Sequence, residues 1–113
     1  MKKIPVHSQV RGVVYALIDD DDFNLVCGYA WHTRKKDKYA TTTVYYYSVD
    51  GERRRKQVRM HHAIIGLPPI GMDVHHINGE PLDNRKSNLM FIDSLEHAYL
   101  TNIRWEREDY SDE

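Results

Sequence analysis

The sequence predicts an α+β chain: a small β-rich region with short helices, then a strand, a long polar loop, a second strand and a helix. Three observations carry that reading. Residues 39–49 (YATTTVYYYSV) are dense in aromatic and β-branched side chains, and Asp50-Gly51 follows as a hairpin turn. Residues 60–65 (MHHAII) have the apolar face of a short helix, stopped by Gly66 and Pro68-Pro69. Residues 74–102 then place two short apolar runs, a polar loop and an amphipathic segment in fewer than thirty positions.

The elements follow in order. Residues 1–12 (MKKIPVHSQVRG) are basic without a continuous hydrophobic segment, so no secretory signal is expected. No apolar run approaches the ~20 residues that span a bilayer. The expectation is an intracellular, cytoplasmic protein with no membrane partner. Residues 13–18 (VVYALI) read as a strand. The four acids Asp19 to Asp22 open a helix that carries Phe23, Leu25, Val26 and Tyr29, with aspartates expected as caps. They lack the glycine and later glutamate of a calcium-binding EF-hand loop. Gly28 keeps that helix short. Cys27, the only cysteine, excludes a disulfide and a four-cysteine zinc site, and its apolar neighbours predict burial.

Residues 29–32 read as a strand and 34–38 as a charged turn. Residues 53–60 return as the hairpin partner, a charged edge that resists aggregation. In the helix at 60–65, Met60, Ala63, Ile64 and Ile65 are expected to pack inward. Adjacent His61 and His62 lie ~100° apart around such a helix, so they form no paired-ligand face; generic structural roles are expected, with packing or hydrogen bonding of one near the active region as the alternative.

Charge is distributed unevenly. The 113 residues carry a formal net charge of -1, with 29% charged and 41% apolar side chains. Residues 34–59, however, hold nine Arg or Lys against three acids, a local charge of +6. Such a segment between acidic ones can guide a polyanion to one face. Lys35, Lys36, Lys38, Arg53, Arg54, Arg55, Lys56 and Arg59 are the candidate phosphate contacts, raising affinity without reading bases. The eight tyrosines are assigned mainly to the core or the sheet surface.

The chemistry concentrates in VHHINGEPLDNRKSNLMFIDSLEHAYLTN. Residues 74–77 read as a strand, 78–88 as a polar loop and 89–92 as a second strand. Asp93 with Glu96 forms a capping pair for a helix through Asn102, with Leu95, Ala98, Tyr99 and Ile103 as its packing face. His75 and His76 fall on opposite sides of the pleat, so one can face a metal while the other takes a second task, provided the strand is strongly twisted or distorted. His97, in the first helical turn, can meet His75 and offer two neutral imidazoles to a divalent cation. His76 then remains to take a proton from water, since an ordinary imidazole is largely neutral near pH 7.

This span closely resembles the HNH, or ββα-metal (His-Me finger), endonucleases. HTRKKDKYATTTVYYY and RMHHAIIGLPPIGM extend the likeness to small phage and intron-associated (homing) members. The resemblance implies that His76 activates the attacking water, and that Asn88 is the central asparagine bracing the loop. It implies His75 and His97 as metal ligands; relatives often carry aspartate at the first of these positions. Asp83 and Asn84 would shape the turn, and Arg85 would contact phosphate or brace the same loop. One divalent cation is implied: Mg²⁺ or Mn²⁺ from the family, with Zn²⁺ or Ni²⁺ compatible with the extra imidazole.

The implied activity is hydrolysis of double-stranded DNA. A monomer would nick, whereas a homodimer would cut both strands; an additional DNA-targeting protein is the alternative source of specificity. The expected organisation is a β-rich DNA-contacting region at 1–71, the nuclease motif at 72–104 and an acidic tail at 105–113. Two other readings compete: a catalytically silent nucleic-acid binder on the same scaffold, and a structural protein stabilised by metal.

Overall fold

Alternation begins earlier than residue 13. Ile4 and Val6 are buried while Lys3, Pro5 and His7 are exposed, the period of a strand with one face on a core. In the computed structural model, which describes residues 1–97, Lys2–Ser8 is β1. It pairs antiparallel along its whole length with β2, Gly12–Ile18. Pro5 is tolerated because the next strand reaches β1 only at His7 and Ser8, leaving the proline on an open edge.

After β2 the acids wind into a 3-10 turn, Asp20–Asp22, leading into α1, Phe23–Val26. Here the capping expectation fails: neither Asp19 nor Asp22 caps its helix with a side-chain hydrogen bond. Their carboxylates are engaged elsewhere, with Lys86. Cys27 is exposed rather than buried, because the chain leaves α1 in an extended conformation at that residue. The strand expected at 29–32 shrinks to β3, His32–Thr33. Trp31 takes the buried position beside it and donates its indole N–H to the Val26 carbonyl at 2.8 Å.

β4, Thr41–Tyr47, and β5, Arg53–Arg59, form the expected hairpin, in register from Thr41 opposite Arg59 to Tyr47 opposite Arg53. Gly51 supplies the turn's left-handed residue at φ +83°. The strand order is β2-β1-β3-β4-β5, so β2 and β5 are the edges. Directly after β5 comes α2, Met60–Ile65, closed by Gly66 at φ +87°. Met60 and Ile64 are buried as expected, and so is His61.

β6, Met72–His76, and β7, Leu89–Asp93, form a second, two-stranded antiparallel sheet. Residues 94–97 are helical. Asp93 Oδ1 accepts the N–H of Leu95 at 2.9 Å and of Glu96 at 3.4 Å, which is the Asp93 half of the expected reciprocal cap. Leu95 is 82% exposed, contrary to its expected packing role. The expected contributions of Ala98, Tyr99 and Ile103, the helix end at Asn102 and the acidic tail lie outside the described residues. One apolar cluster joins the sheets: Ile4, Val6, Ala16 and Ile18 meet Met60 and Ile64, with Val74 and Leu89 from the smaller sheet. No helix among the described residues is long and apolar enough to cross a membrane.

Candidate functional site

The loop between β6 and β7 is the most polar buried part of the molecule. Asp83, Asn84 and Asn88 are each at most 6% exposed, so their polar atoms require internal partners. Asn88 supplies several. Its amide oxygen accepts the Asn78 backbone N–H, and its nitrogen donates to Asn78 Oδ1 and to the Asp83 carbonyl, each at 2.9 Å. The loop's two ends are thereby tied across ten residues. Asp83 binds Arg85 through both oxygens, at 2.8 and 2.7 Å, and also accepts from Asn78 Nδ2. The guanidinium hydrogen bonds hold the Asp83 carboxyl below the ordinary carboxylate range. Arg85 therefore braces the loop in this structure.

The loop also lies against the edge strand β2. Leu17 donates its N–H to the Leu82 carbonyl and accepts the Asn84 N–H, both at 2.8 Å. Asp19 Oδ2 accepts the Lys86 backbone N–H at 2.9 Å. Buried Asp22 pairs with the Lys86 ammonium at 3.0 Å, which raises the lysine pKa. The four-acid run thus positions the loop. Sequence spacing gave no signal for this, because the partners are 67 residues apart at Asp19–Lys86.

His75 and His76 sit in a regular ladder, opposite Met90 and Leu89 respectively, and face opposite sides of the ribbon. On one side the structure brings His75 to His97, with ring centroids 5.5 Å apart. His97 Nδ1 lies 3.1 Å from Asp73 Oδ2, a carboxylate that orients the imidazole. On the other side His76 Nε2 lies 2.8 Å from Asn84 Oδ1. The tautomer that carries its proton on Nε2 donates to this amide oxygen and leaves Nδ1 as the basic nitrogen. His76 is 5% exposed, and burial depresses its pKa despite the opposing hydrogen bond from Asn84.

Two neighbours of His76 carry only structural expectations from the sequence, with packing near the active region as the alternative for one of His61 and His62. His61 meets it edge to face at 5.2 Å, and Tyr39 lies across it at 5.5 Å. Tyr39 also contacts His61 at 5.2 Å, making a three-ring cluster. Burial first, then the charges of His62, His76 and Arg59, push His61 down to about 3. The adjacent histidine pair at 61 and 62 was the available signal; β5 leading straight into α2 is what aims its first member at β6.

The candidate phosphate contacts fall into two groups. Lys35, Lys36 and Lys38 are exposed on the turn before β4. Arg53, Arg54, Arg55 and Lys56 are exposed on β5. Arg59 is half-buried, paired with Asp37 at 3.0 Å and stacked over Tyr39 at 4.8 Å. A cavity of about 280 Å³ at the hairpin root is lined by Arg34, Asp37, Thr41, Gln57, Arg59 and His62, whose ring packs on His61 at 4.4 Å.

The donor set bears on the implied cation. Two facing imidazoles, one already oriented by a carboxylate, suit a divalent transition metal that takes its other ligands from water or phosphate. Among the described residues no group of three or more His, Cys, Asp or Glu is arranged to hold a metal ion. Residues 57–99 match a protein-family model described as HNH endonuclease. The match takes in the last three residues of β5, then α2, the polar loop and His75, His76 and His97. No curated protein and no solved structure matches the chain.

Proposed function

We propose that this chain is an HNH-type, metal-dependent endonuclease that hydrolyses phosphodiester bonds in double-stranded DNA. The observations that carry the proposal are the approach of His75 to His97 on one side of the β6–β7 ribbon and the buried His76 held on Asn84 on the other. This arrangement falls within the segment that matches the HNH model. Strand, loop, strand and helical residues are in the order a ββα-metal motif requires.

His75 and His97 would hold the cation, which when bound supplies positive charge to the phosphate and the departing 3′ oxygen. His76 Nδ1 takes a proton from the attacking water as the water oxygen bonds to phosphorus. The bond to the 3′ oxygen breaks, leaving a 5′-phosphate and a 3′-hydroxyl that takes its proton from solvent. Asn84 holds the Nε2 proton so that the opposite nitrogen stays basic, and Asn88 keeps the loop that carries Asn84 in place. His76 is the last residue of β6, so catalysis requires a phosphate that lies across the strand end and reaches both sides of the ribbon. One such centre cuts one strand, so a monomer nicks and a double-strand break takes a second copy.

Supercoiled plasmid tests the proposal. Incubation with Mg²⁺, Mn²⁺, Ni²⁺ or Zn²⁺ is expected to yield nicks that DNA ligase reseals, and chelation is expected to stop them. Intact plasmid with every metal contradicts it. The second reading is a catalytically silent DNA binder, favoured by the near-complete burial of His76. It predicts salt-sensitive binding without nicks.

A further inference from the structure

Among the described residues the β4–β5 hairpin is exposed on both faces beyond its root, with Tyr46, Arg54 and Lys56 exposed on one of them. Residues directly opposite each other in an antiparallel pair share a face. The register therefore puts Thr43, Tyr45 and Tyr47 on the other face with Gln57, Arg55 and Arg53. Tyr45, Tyr47, Arg53, Arg55 and Gln57 are all exposed. Two contacts agree with the assignment: Gln57 Nε2 donates to Thr43 Oγ1 at 3.0 Å, and the Arg53 guanidinium stacks over Tyr45 at 4.4 Å. The acids near the turn are engaged from the opposite face, where Arg54 reaches Asp50 at 3.1 Å and Glu52 at 3.9 Å. No ion pair among the described residues neutralises Arg53 or Arg55.

We propose that this face is a base reader: the hairpin enters the major groove of duplex DNA, Arg53 and Arg55 bind guanine edges, and Gln57 binds an adenine edge. Its role in setting where the strand is cut rests on the nuclease reading above.

A two-stranded ribbon fits the ~12 Å width of the B-form major groove, whereas the deep, narrow groove of A-form RNA excludes it. Positive charge matches the phosphates on both walls. Alternate residues on a strand are ~6.8 Å apart, close to two base-pair steps of ~3.4 Å. Arg53, Arg55 and Gln57 therefore meet successive positions about two base pairs apart. The side-chain types are those that make two hydrogen bonds to one base: arginine to guanine O6 and N7, glutamine to adenine N6 and N7. Stacking on Tyr45 pre-orients Arg53, and the bond to Thr43 fixes the Gln57 amide with its oxygen and second N–H still available. At the root of the same face Arg59 covers Tyr39, which lies on His76. The reader consequently runs away from the candidate base, and the bases it selects lie to one side of the cut.

The test is selection of bound duplexes from a randomised library by the full chain in EDTA, so that binding alone is scored. The wild type is expected to enrich G, G and A at about two-base-pair intervals. Gln57→Ala and Arg55→Ala are each expected to relax one position, losing about 5- to 150-fold discrimination. Lys36→Ala should weaken all sequences alike. These side chains are exposed, so circular dichroism should report an unchanged fold. The proposal is overturned if the wild type selects no bases, if the triple variant R53A/R55A/Q57A keeps the same preferences, or if single strands bind more tightly than duplex. Base selection by a protein that leaves plasmid intact with every metal overturns the nuclease reading and leaves the reader standing.

Discussion

His61 and His76 place two imidazoles edge to face in a region from which water is largely removed, and both are held neutral by that burial. The consequence for stability has a definite sign. His61 has its pKa lowered from 6.5 to about 3, so below pH 6.5 the unfolded chain binds a proton that the folded chain refuses. Its contribution is complete above pH 6.5 and is lost as the pH falls towards about 3. The loss amounts to at most about 1.4 kcal/mol per pH unit. Urea denaturation between pH 4 and pH 7 is expected to give a flatter stability profile for His61→Leu than for the wild type; equal slopes contradict this account of the ring cluster. Asn84 makes a different kind of contribution. Asn84→Ala removes the partner of His76 Nε2, and it is expected to lower kcat with little change in KM, at a stability cost of about 1–3 kcal/mol. A change confined to KM would assign Asn84 to substrate binding instead.

At the scale of elements, the loop between β6 and β7 is held from three directions: Asn88 within it, β2 alongside it and the acidic turn beneath Lys86. Lys86→Met would leave Asp22 buried without its cation, a costlier state than the exposed lysine implies. The melting temperature is expected to fall for Lys86→Met and to recover in part when Asp22→Asn is added; strictly additive losses would show that the pair is uncoupled. The single change Asn88→Ala, which loses three hydrogen bonds, should destabilise the chain by about 1–3 kcal/mol, read from the same melts. These elements also mark what local sequence could reveal. The limits of α2 were legible because Gly66 and the prolines punctuate it, and the hairpin because Asp-Gly separates two strand-forming runs. β1 was not recognised, although Ile4 and Val6 alternate with polar residues, since basic charge and Pro5 obscured a pattern of only two buried positions. The role of Asp19 and Asp22 was illegible for a deeper reason. Local propensity favours capping, but a distant lysine and backbone N–H offer these carboxylates stronger partners. Likewise, the histidine spacing pointed to a site, but only the fold could put His61 and Tyr39 beside His76.

For the whole molecule, the two edges of the larger sheet divide the work. One edge, β2, is covered by the polar loop and fixes the candidate centre; the other, β5, is open among the described residues and carries the basic charge. Binding to duplex DNA should therefore depend steeply on salt. If about six of the basic side chains meet phosphates, affinity should fall roughly 10³-fold between 50 and 200 mM salt. A fluorescence-anisotropy titration that changes less than tenfold contradicts the proposed phosphate-binding face. The central claim remains the chemistry at His76. Its most direct test is the rate of plasmid nicking by the wild type and by His76→Ala, in the metal that best supports the wild type, with metal affinity measured on both proteins. The expected result is a loss of about 10²–10⁴-fold in rate at nearly unchanged metal affinity. Equal nicking rates, or an equally severe loss of metal binding in His76→Ala, would contradict the assignment of His76 as the base.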